Sequence, residues 1–158
     1  EFSSFLINME TTNTLKGNGI LGIVREEKSF WERRVPLPPN RVAQLVQAGI
    51  KVLIQPSTRR CYADKEYEKV GAVVTEDLSP CNFIIGVKEI PIENLMSNRS
   101  YLFFSHTIKG QPYNMPLLDI ILEKNIRLFD YEVIKDSSDQ RLVAFGRFAG
   151  CGGAIGLL

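Results

Sequence analysis

The chain has one histidine and only three cysteines, and this scarcity argues against several classes of site. A single imidazole is a poor basis for a zinc site. The cysteines, Cys61, Cys81 and Cys151, are odd in number, far apart and without metal-ligand spacing. They predict reduced thiols in an intracellular protein. No apolar run reaches the length of a bilayer-spanning helix, so we predict no membrane segment.

Neither sign of charge is in excess. The 19 Lys and Arg residues balance 18 Asp and Glu residues, and the formal net charge is +1. This balance removes the electrostatic argument for a nucleic-acid-binding protein. A length of 158 residues with 44% hydrophobic residues predicts one soluble globular domain with a substantial core.

The amino-terminal segment shows no periodic pattern. Its first eighteen residues contain one basic residue, Lys16, whereas a transit peptide is rich in arginine. We expect residues 1–16 to be disordered or derived from cloning, and we exclude them from the fold prediction.

Short apolar runs alternate with helical patterns along the rest of the chain. Strands are predicted at 19–24, 50–55, 72–74, 83–87, 101–104, 126–130 and 141–145. Helices are predicted at 39–48, 64–70, 92–96 and 112–124. This alternation predicts an α/β fold, in which a mainly parallel, Rossmann-like sheet carries helices on both faces.

The glycine-rich end of the chain is similar to a loosened dinucleotide-binding pattern. Gly150, Gly152 and Gly156 supply the glycines, but no second strand and no acidic residue about 20 positions further on follow them. We therefore predict a helix of small residues there, and no cofactor-binding residues within this chain.

Two of the predicted strands end in titratable side chains. Lys88 and Glu89 follow the run 83–87, and His106 follows the run 101–104. The carboxyl ends of parallel strands open into one crevice, where a lysine and a histidine could share proton transfer. The alternative is that Lys88 is a solvated strand-end residue and His106 a helix N-cap or a packed surface histidine.

Charged residues in neighbouring loops could complete such a site. Arg33 and Arg34 lie between the first strand and the first helix, where a guanidinium could bind a carboxylate bidentately. The alternative is a surface arginine paired with Glu32 or Glu26, and position alone does not decide which arginine faces inward.

Two carboxylates also stand near the predicted strand ends. Glu89 and Glu132 could favour the protonated forms of the lysine and the histidine. The alternative is that both are solvated at the sheet edge.

Several ordered blocks resemble a known family. They are WERRVPLPP, KVLIQPSTRR, GVKEIP, FFSHTIKGQ, NMPLLD, IRLFDYE and VAFGRFAG. Together they resemble the amino-terminal part of lysine 2-oxoglutarate reductase, the saccharopine-forming half of aminoadipic semialdehyde synthase, over about 17–158. More distantly, the chain is similar to the amino-terminal domains of saccharopine dehydrogenase, alanine dehydrogenase and nicotinamide nucleotide transhydrogenase.

The resemblance implies a reaction and roles for particular residues. The family joins lysine to 2-oxoglutarate through an imine, which NADPH reduces to saccharopine. It implies that Lys88 and His106 are the acid–base pair and that Arg34 holds a substrate carboxylate. Glu89 and Glu132 are implied to tune the pair.

The resemblance also implies a domain arrangement. Residues 17–145 would form the substrate-side domain, and 146–158 would begin a helix leading to an NADPH-binding domain outside this chain. The chain alone is therefore expected to be inactive, and its parent to be mitochondrial, or alternatively cytoplasmic, and to form homo-oligomers. The rival hypotheses are a non-catalytic module that binds a dicarboxylate or pairs with another subunit, and an alanine-dehydrogenase-like enzyme.

Overall fold

A computed structural model describes residues 19–156, so the prediction for 1–16 lies outside the described residues. The described strands are β1 (Ile20–Ile23), β2 (Lys51–Ile54), β3 (Val73–Val74), β4 (Phe83–Ile85), β5 (Ser100–Phe103) and β6 (Arg127–Asp130). The α-helices are α1 (Pro39–Gln47), α2 (Asp64–Glu68), α3 (Met115–Glu123) and α4 (Gly146–Gly156).

The six strands form one sheet in the order β3-β2-β1-β4-β5-β6, and every adjacent pair is parallel. The predicted α/β fold with a parallel sheet is therefore confirmed. The strand order reverses direction between β1 and β4, and in open α/β sheets a crevice forms beyond the strand ends at such a point.

Helices pack on both faces of the sheet, as predicted. On one face, Val42 of α1 and Tyr67 of α2 are fully buried against Ile23 and Ile54. On the other face, α3 packs its apolar side against β4 and β5. The buried residues there include Ile84, Tyr101, Phe103, Leu117 and Ile121. Two apolar layers thus hold the sheet and fix its carboxyl edge.

The ends of α1 follow from its sequence. Pro39 occupies the first turn, where its missing N–H needs no partner. Gly49 follows the helix with φ +85°, a conformation that glycine adopts without a steric penalty. The predicted helix at 39–48 is therefore confirmed to within one residue.

The predicted strand at 141–145 is wrong. Arg141 forms only an isolated antiparallel bridge with Lys135. The intervening turn is closed by Asp136, whose Oδ1 accepts backbone N–H groups of Ser138 at 2.8 Å and Gln140 at 2.9 Å. Within residues 19–156, the segment 141–145 joins no strand of the sheet, and the local turn sets its path instead.

The segment predicted as a helix at 92–96 is a single 3-10 turn, Ile92–Asn94. The predicted helix of small residues is present as α4, and its Phe148 and Ile155 are 74% and 73% exposed. Among residues 19–156, no helix has both the length and the apolar character of a membrane span.

Candidate active site

The ends of β4 and β5 lie side by side. The backbone N–H of Phe104 donates to the carbonyl of Val87 at 3.1 Å, which extends the pairing of the two strands past their last regular residues. Lys88 follows this bond by one residue and His106 by two. The sheet therefore brings the two predicted acid–base residues to one edge on neighbouring strands.

A carboxylate from the end of β6 contacts the imidazole. Glu132 Oε2 lies 2.9 Å from His106 Nδ1, and its Oε1 lies 3.0 Å from Lys109 Nζ and 3.6 Å from an Arg141 nitrogen. Burial favours the neutral acid, but hydrogen bonds from Lys109 and His106 outweigh it and hold the pKa of Glu132 below its ordinary value. Glu132 is therefore an anion surrounded by three potential cations.

The Glu132 contact favours one tautomer of His106. A carboxylate can only accept, so the Glu132 contact places a hydrogen on Nδ1 of His106. Lys109 Nζ also lies 3.1 Å from Nδ1, but an ammonium group cannot donate to a protonated nitrogen, and it is satisfied instead by Glu132. Nε2 is left as the nitrogen that can accept or release a proton.

The turn that carries Lys88 is held by a second carboxylate, which is partly buried. Glu26 accepts the backbone N–H of Val87 at 2.6 Å and that of Lys88 at 2.9 Å. Burial raises the pKa of Glu26, and the two hydrogen bonds oppose the rise. A side chain at Gly86 would place its Cβ 2.8 Å from Val24, so the close approach of β1 and this turn requires glycine.

Arg34 lies in the same region, paired with Glu32. Its Nε and Nη2 donate to the two Glu32 oxygens at 2.8 and 2.6 Å. These bonds, together with the charge of Lys88, hold the pKa of Glu32 below its ordinary value. The alternative in which Arg34 pairs with Glu32 is thus present, and the charge of Lys88 acts on that same Glu32 carboxylate.

An aromatic cluster lies between the Arg34 side and the His106 side. Arg34 stacks over the Phe145 ring at 4.8 Å, and Phe145 lies 6.1 Å from Phe104. The Phe104 ring stacks on the His106 imidazole at 6.2 Å and meets Tyr131 at 5.0 Å. Apolar surface therefore connects the guanidinium to the imidazole.

Glu89 forms an ion pair with a lysine of the first loop. Its carboxylate pairs with Lys28 Nζ at 2.6 Å, and the glutamate side chain is 12% exposed. Arg33 is exposed, and its carbonyl accepts the backbone N–H of Cys61 at 2.9 Å. Glu132 thus contacts one member of the predicted pair directly, whereas Glu89 pairs with a lysine of the first loop.

Sequence reasoning missed three residues of this site: Glu26, Lys109 and Asp130. Lys109 could have been found, because it stands three residues after His106 in a short turn. Glu26 and Asp130 gave no such signal, since a carboxylate that binds backbone N–H groups looks like any solvated acid in a sequence.

The glycines of α4 do not fit the dinucleotide-binding fingerprint. The glycines of α4 follow an irregular segment, whereas the dinucleotide fingerprint requires a strand immediately before its glycine turn. Within 19–156 there is also no group of three or more His, Cys, Asp or Glu residues placed to hold a metal ion. A cavity of about 430 Å³ lies beside Leu78, Ile84 and Tyr101, but neither Lys88 nor His106 lines it.

Comparison with known proteins places this chain in a family. Residues 22–152 match the model described as alanine dehydrogenase/PNT, N-terminal domain. An L-alanine dehydrogenase structure superimposes with a TM-score of 0.67 at 22% identity, covering 77% of this chain and 34% of that one. This structural likeness shows the shared fold.

Relatives of higher identity include alpha-aminoadipic semialdehyde synthases and a saccharopine dehydrogenase. The chain is 48% identical over 139 residues to the mitochondrial alpha-aminoadipic semialdehyde synthase of Rattus norvegicus, covering 88% of this chain and 15% of that protein. It is 43% identical to the Arabidopsis thaliana alpha-aminoadipic semialdehyde synthase, covering 90% of this chain and 14% of that protein. It is 33% identical to the NAD(+), L-lysine-forming saccharopine dehydrogenase of Yarrowia lipolytica, covering 85% of this chain and 38% of that protein. The chain thus spans a small part of the length of these relatives.

Proposed function

Because the chain belongs to the alanine dehydrogenase/PNT N-terminal-domain family, we propose that it is the substrate-side domain of a lysine 2-oxoglutarate reductase. The reaction joins the ε-amine of lysine to the keto carbon of 2-oxoglutarate and yields saccharopine. The identity of 43 to 49% to aminoadipic semialdehyde synthases supports this substrate class over an alanine-dehydrogenase-like one.

The observation that supports the proposal is that Lys88 and His106 follow the bonded ends of β4 and β5 by one and two residues. Addition of the amine to the ketone gives a carbinolamine, and loss of water gives an imine. Both steps move protons onto and off oxygen and nitrogen, which a lysine and an imidazole can do. Nε2 of His106 is the proposed exchange site, because Nδ1 is held by Glu132.

Carboxylates of the substrates require cations. Arg34 presents a planar guanidinium, and its present partner Glu32 keeps it in place until a substrate carboxylate competes for it. Lys109 and Arg141 add positive charge next to His106. The proposed roles of Glu89 and Glu132 are to favour the protonated forms of the pair.

The cofactor is proposed to be NADPH, which supplies hydride chemistry from a separate nucleotide-binding domain. The part played by this chain is binding, orientation and proton transfer, so we expect it to be inactive alone. We further propose a mitochondrial protein, as the names of the rat, mouse and cow relatives state for those proteins. A homo-oligomer is also expected.

The test uses the longest natural polypeptide that contains this sequence. A Lys88→Met, His106→Gln double variant should lose most saccharopine formation while retaining NADPH binding. Lys69→Met, an exposed residue after α2, is the matched control and should retain full activity. Normal turnover by the double variant would disprove the assignment.

Two further measurements separate the rivals. Reductive amination of pyruvate by ammonia, without lysine-dependent turnover, would identify an alanine-dehydrogenase-like enzyme. If the same polypeptide binds 2-oxoglutarate but oxidises no NADPH with lysine present, the chain belongs instead to a non-catalytic binding module.

A further inference from the structure

A buried carboxylate joins the loops that carry His106 and Glu132. Asp130 is 7% exposed and stands at the end of β6. Its Oδ2 accepts the backbone N–H of Ser105 at 3.2 Å and the Ser105 hydroxyl at 2.5 Å. Its Oδ1 accepts the backbone N–H of Glu132 at 2.8 Å. One side chain therefore anchors the residue before His106 and the backbone of Glu132.

The Ser105 hydroxyl extends this anchor past His106. Ser105 is fully buried, and its oxygen accepts the backbone N–H of Thr107 at 3.2 Å and lies 2.8 Å from the Thr107 hydroxyl. Since the Ser105 proton is donated to Asp130, the Thr107 hydroxyl donates to Ser105. His106 is thus held on both sides by groups that depend on Asp130.

The backbone at His106 needs such support. Its φ of +57° is left-handed, a conformation that costs a non-glycine residue about 1 kcal/mol. The carbonyl of His106 accepts Asn114 Nδ2 at 3.3 Å, and Asn114 is itself buried. This unusual turn aims the imidazole back at Glu132, and it persists only where the surroundings fix it.

We propose that Asp130 is a positioning residue that holds the His106 imidazole against the Glu132 carboxylate by anchoring both backbones. It touches no reacting atom. Its effect is to fix the Nδ1–H tautomer and so to keep Nε2 available for proton exchange. The kinetic consequence rests on the proposed function, whereas the geometric consequence is a property of the chain itself.

The geometric test is NMR of this chain. Because His106 is the only histidine, its two ring nitrogens give unambiguous ¹⁵N signals. At about pH 8, where imidazoles are mostly neutral, the wild-type shifts should show Nδ1–H as the dominant tautomer. Asp130→Asn replaces an acceptor by an amide donor facing Ser105, and it should shift the tautomer population towards Nε2–H. Asp119→Asn, exposed on α3, should leave the shifts unchanged.

A milder variant protects the test against misfolding. Ser105→Ala removes the hydroxyl bonds to Asp130 and Thr107 but leaves the Ser105 backbone bond to Asp130. It should shift the tautomer population in the same direction by a smaller amount. Wild-type ring shifts in either folded variant would overturn the proposal.

The kinetic test uses the longest natural polypeptide. Asp130→Asn should lower kcat for saccharopine formation by about tenfold or more, since a small misplacement of a catalytic group is costly. KM for 2-oxoglutarate should change by less than about twofold, because Arg34 is unaffected, whereas Arg34→Ala should mainly raise KM. If the wild type forms no saccharopine, the proposed function fails while the NMR result still stands. If the wild type is active and Asp130→Asn is kinetically normal, the positioning role fails alone.

Discussion

Glu132 and His106, from the ends of β6 and β5, meet at 2.9 Å although 26 residues separate them in the chain. The pairing depends on the adjacency of the two strands, whose register sets Phe103 opposite Asp130. Each residue lies two or three positions beyond that pair. The contact is therefore a direct product of parallel strand pairing, and it provides a sensitive probe of the site.

Glu132→Gln should reduce stability at neutral pH by about 1 kcal/mol, because the ionic hydrogen bonds to His106 and Lys109 are weakened. Since folding lowers the pKa of Glu132, its contribution is complete above the ordinary carboxyl pKa and is lost as pH falls through the lowered value. Urea unfolding at several pH values should show that the free energies of unfolding of the variant and the wild type converge in acid. A constant difference at all pH values would contradict this. Glu123→Gln, on an exposed end of α3, is the control.

Glu26→Gln should change the pH dependence of stability in the direction opposite to Glu132→Gln. Because burial raises the pKa of Glu26 in the folded protein, this group favours folding below its ordinary pKa, and the contribution is lost as pH rises through the folded value. Glu26→Gln removes this contribution, so the free energy of unfolding should fall more steeply in acid than it does for the wild type.

Glu26→Ala should lower the free energy of unfolding by about 2 kcal/mol at neutral pH, because the N–H groups of Val87 and Lys88 lose their acceptor. Hydrogen exchange at these two amides should accelerate in Glu26→Ala; unchanged exchange would argue against the anchor.

Gly86→Ala should destabilise the chain by about 1 to 3 kcal/mol, because the new methyl group would lie 2.8 Å from Val24. The displacement should also shift the amide signals of Val87 and Lys88. Gly146→Ala is the matched control, since no atom lies within 4 Å of its added Cβ and alanine favours the helix there. Equal stability of the two variants in thermal unfolding would refute the close approach.

The three cysteines should differ in reactivity. Burial raises the pKa of the Cys81 thiol to about 11, whereas Cys61 and Cys151 are exposed. Because the thiolate is the nucleophile, Cys81 should resist alkylation in the native protein and react only after unfolding. Mass spectrometry after a brief iodoacetamide treatment would locate the labels. Rapid native labelling of Cys81 would show that this part of the core is open.

Much of the fold and some of the site could be predicted from particular residues. Proline at 39 and glycine at 49 bounded α1, and the alternation of apolar runs with helical patterns indicated a parallel sheet. Parallel pairing then implied that Lys88 and His106 share an edge. The strand predicted at 141–145 failed because a strand needs a partner edge as well as a suitable composition, and within residues 19–156 the β-pairing of this segment is the single bridge between Arg141 and Lys135.

The sequence by itself determined which charged groups stand at strand ends, because residue order and strand alternation are local properties. Only the tertiary structure decided where those groups point. His106 contacts Glu132 through a left-handed backbone, Glu89 pairs with Lys28, and buried Asp130 bonds to two loops. The reason is physical: side-chain direction in a loop depends on backbone hydrogen bonds from residues distant in the chain, and those partners exist only once the sheet has assembled.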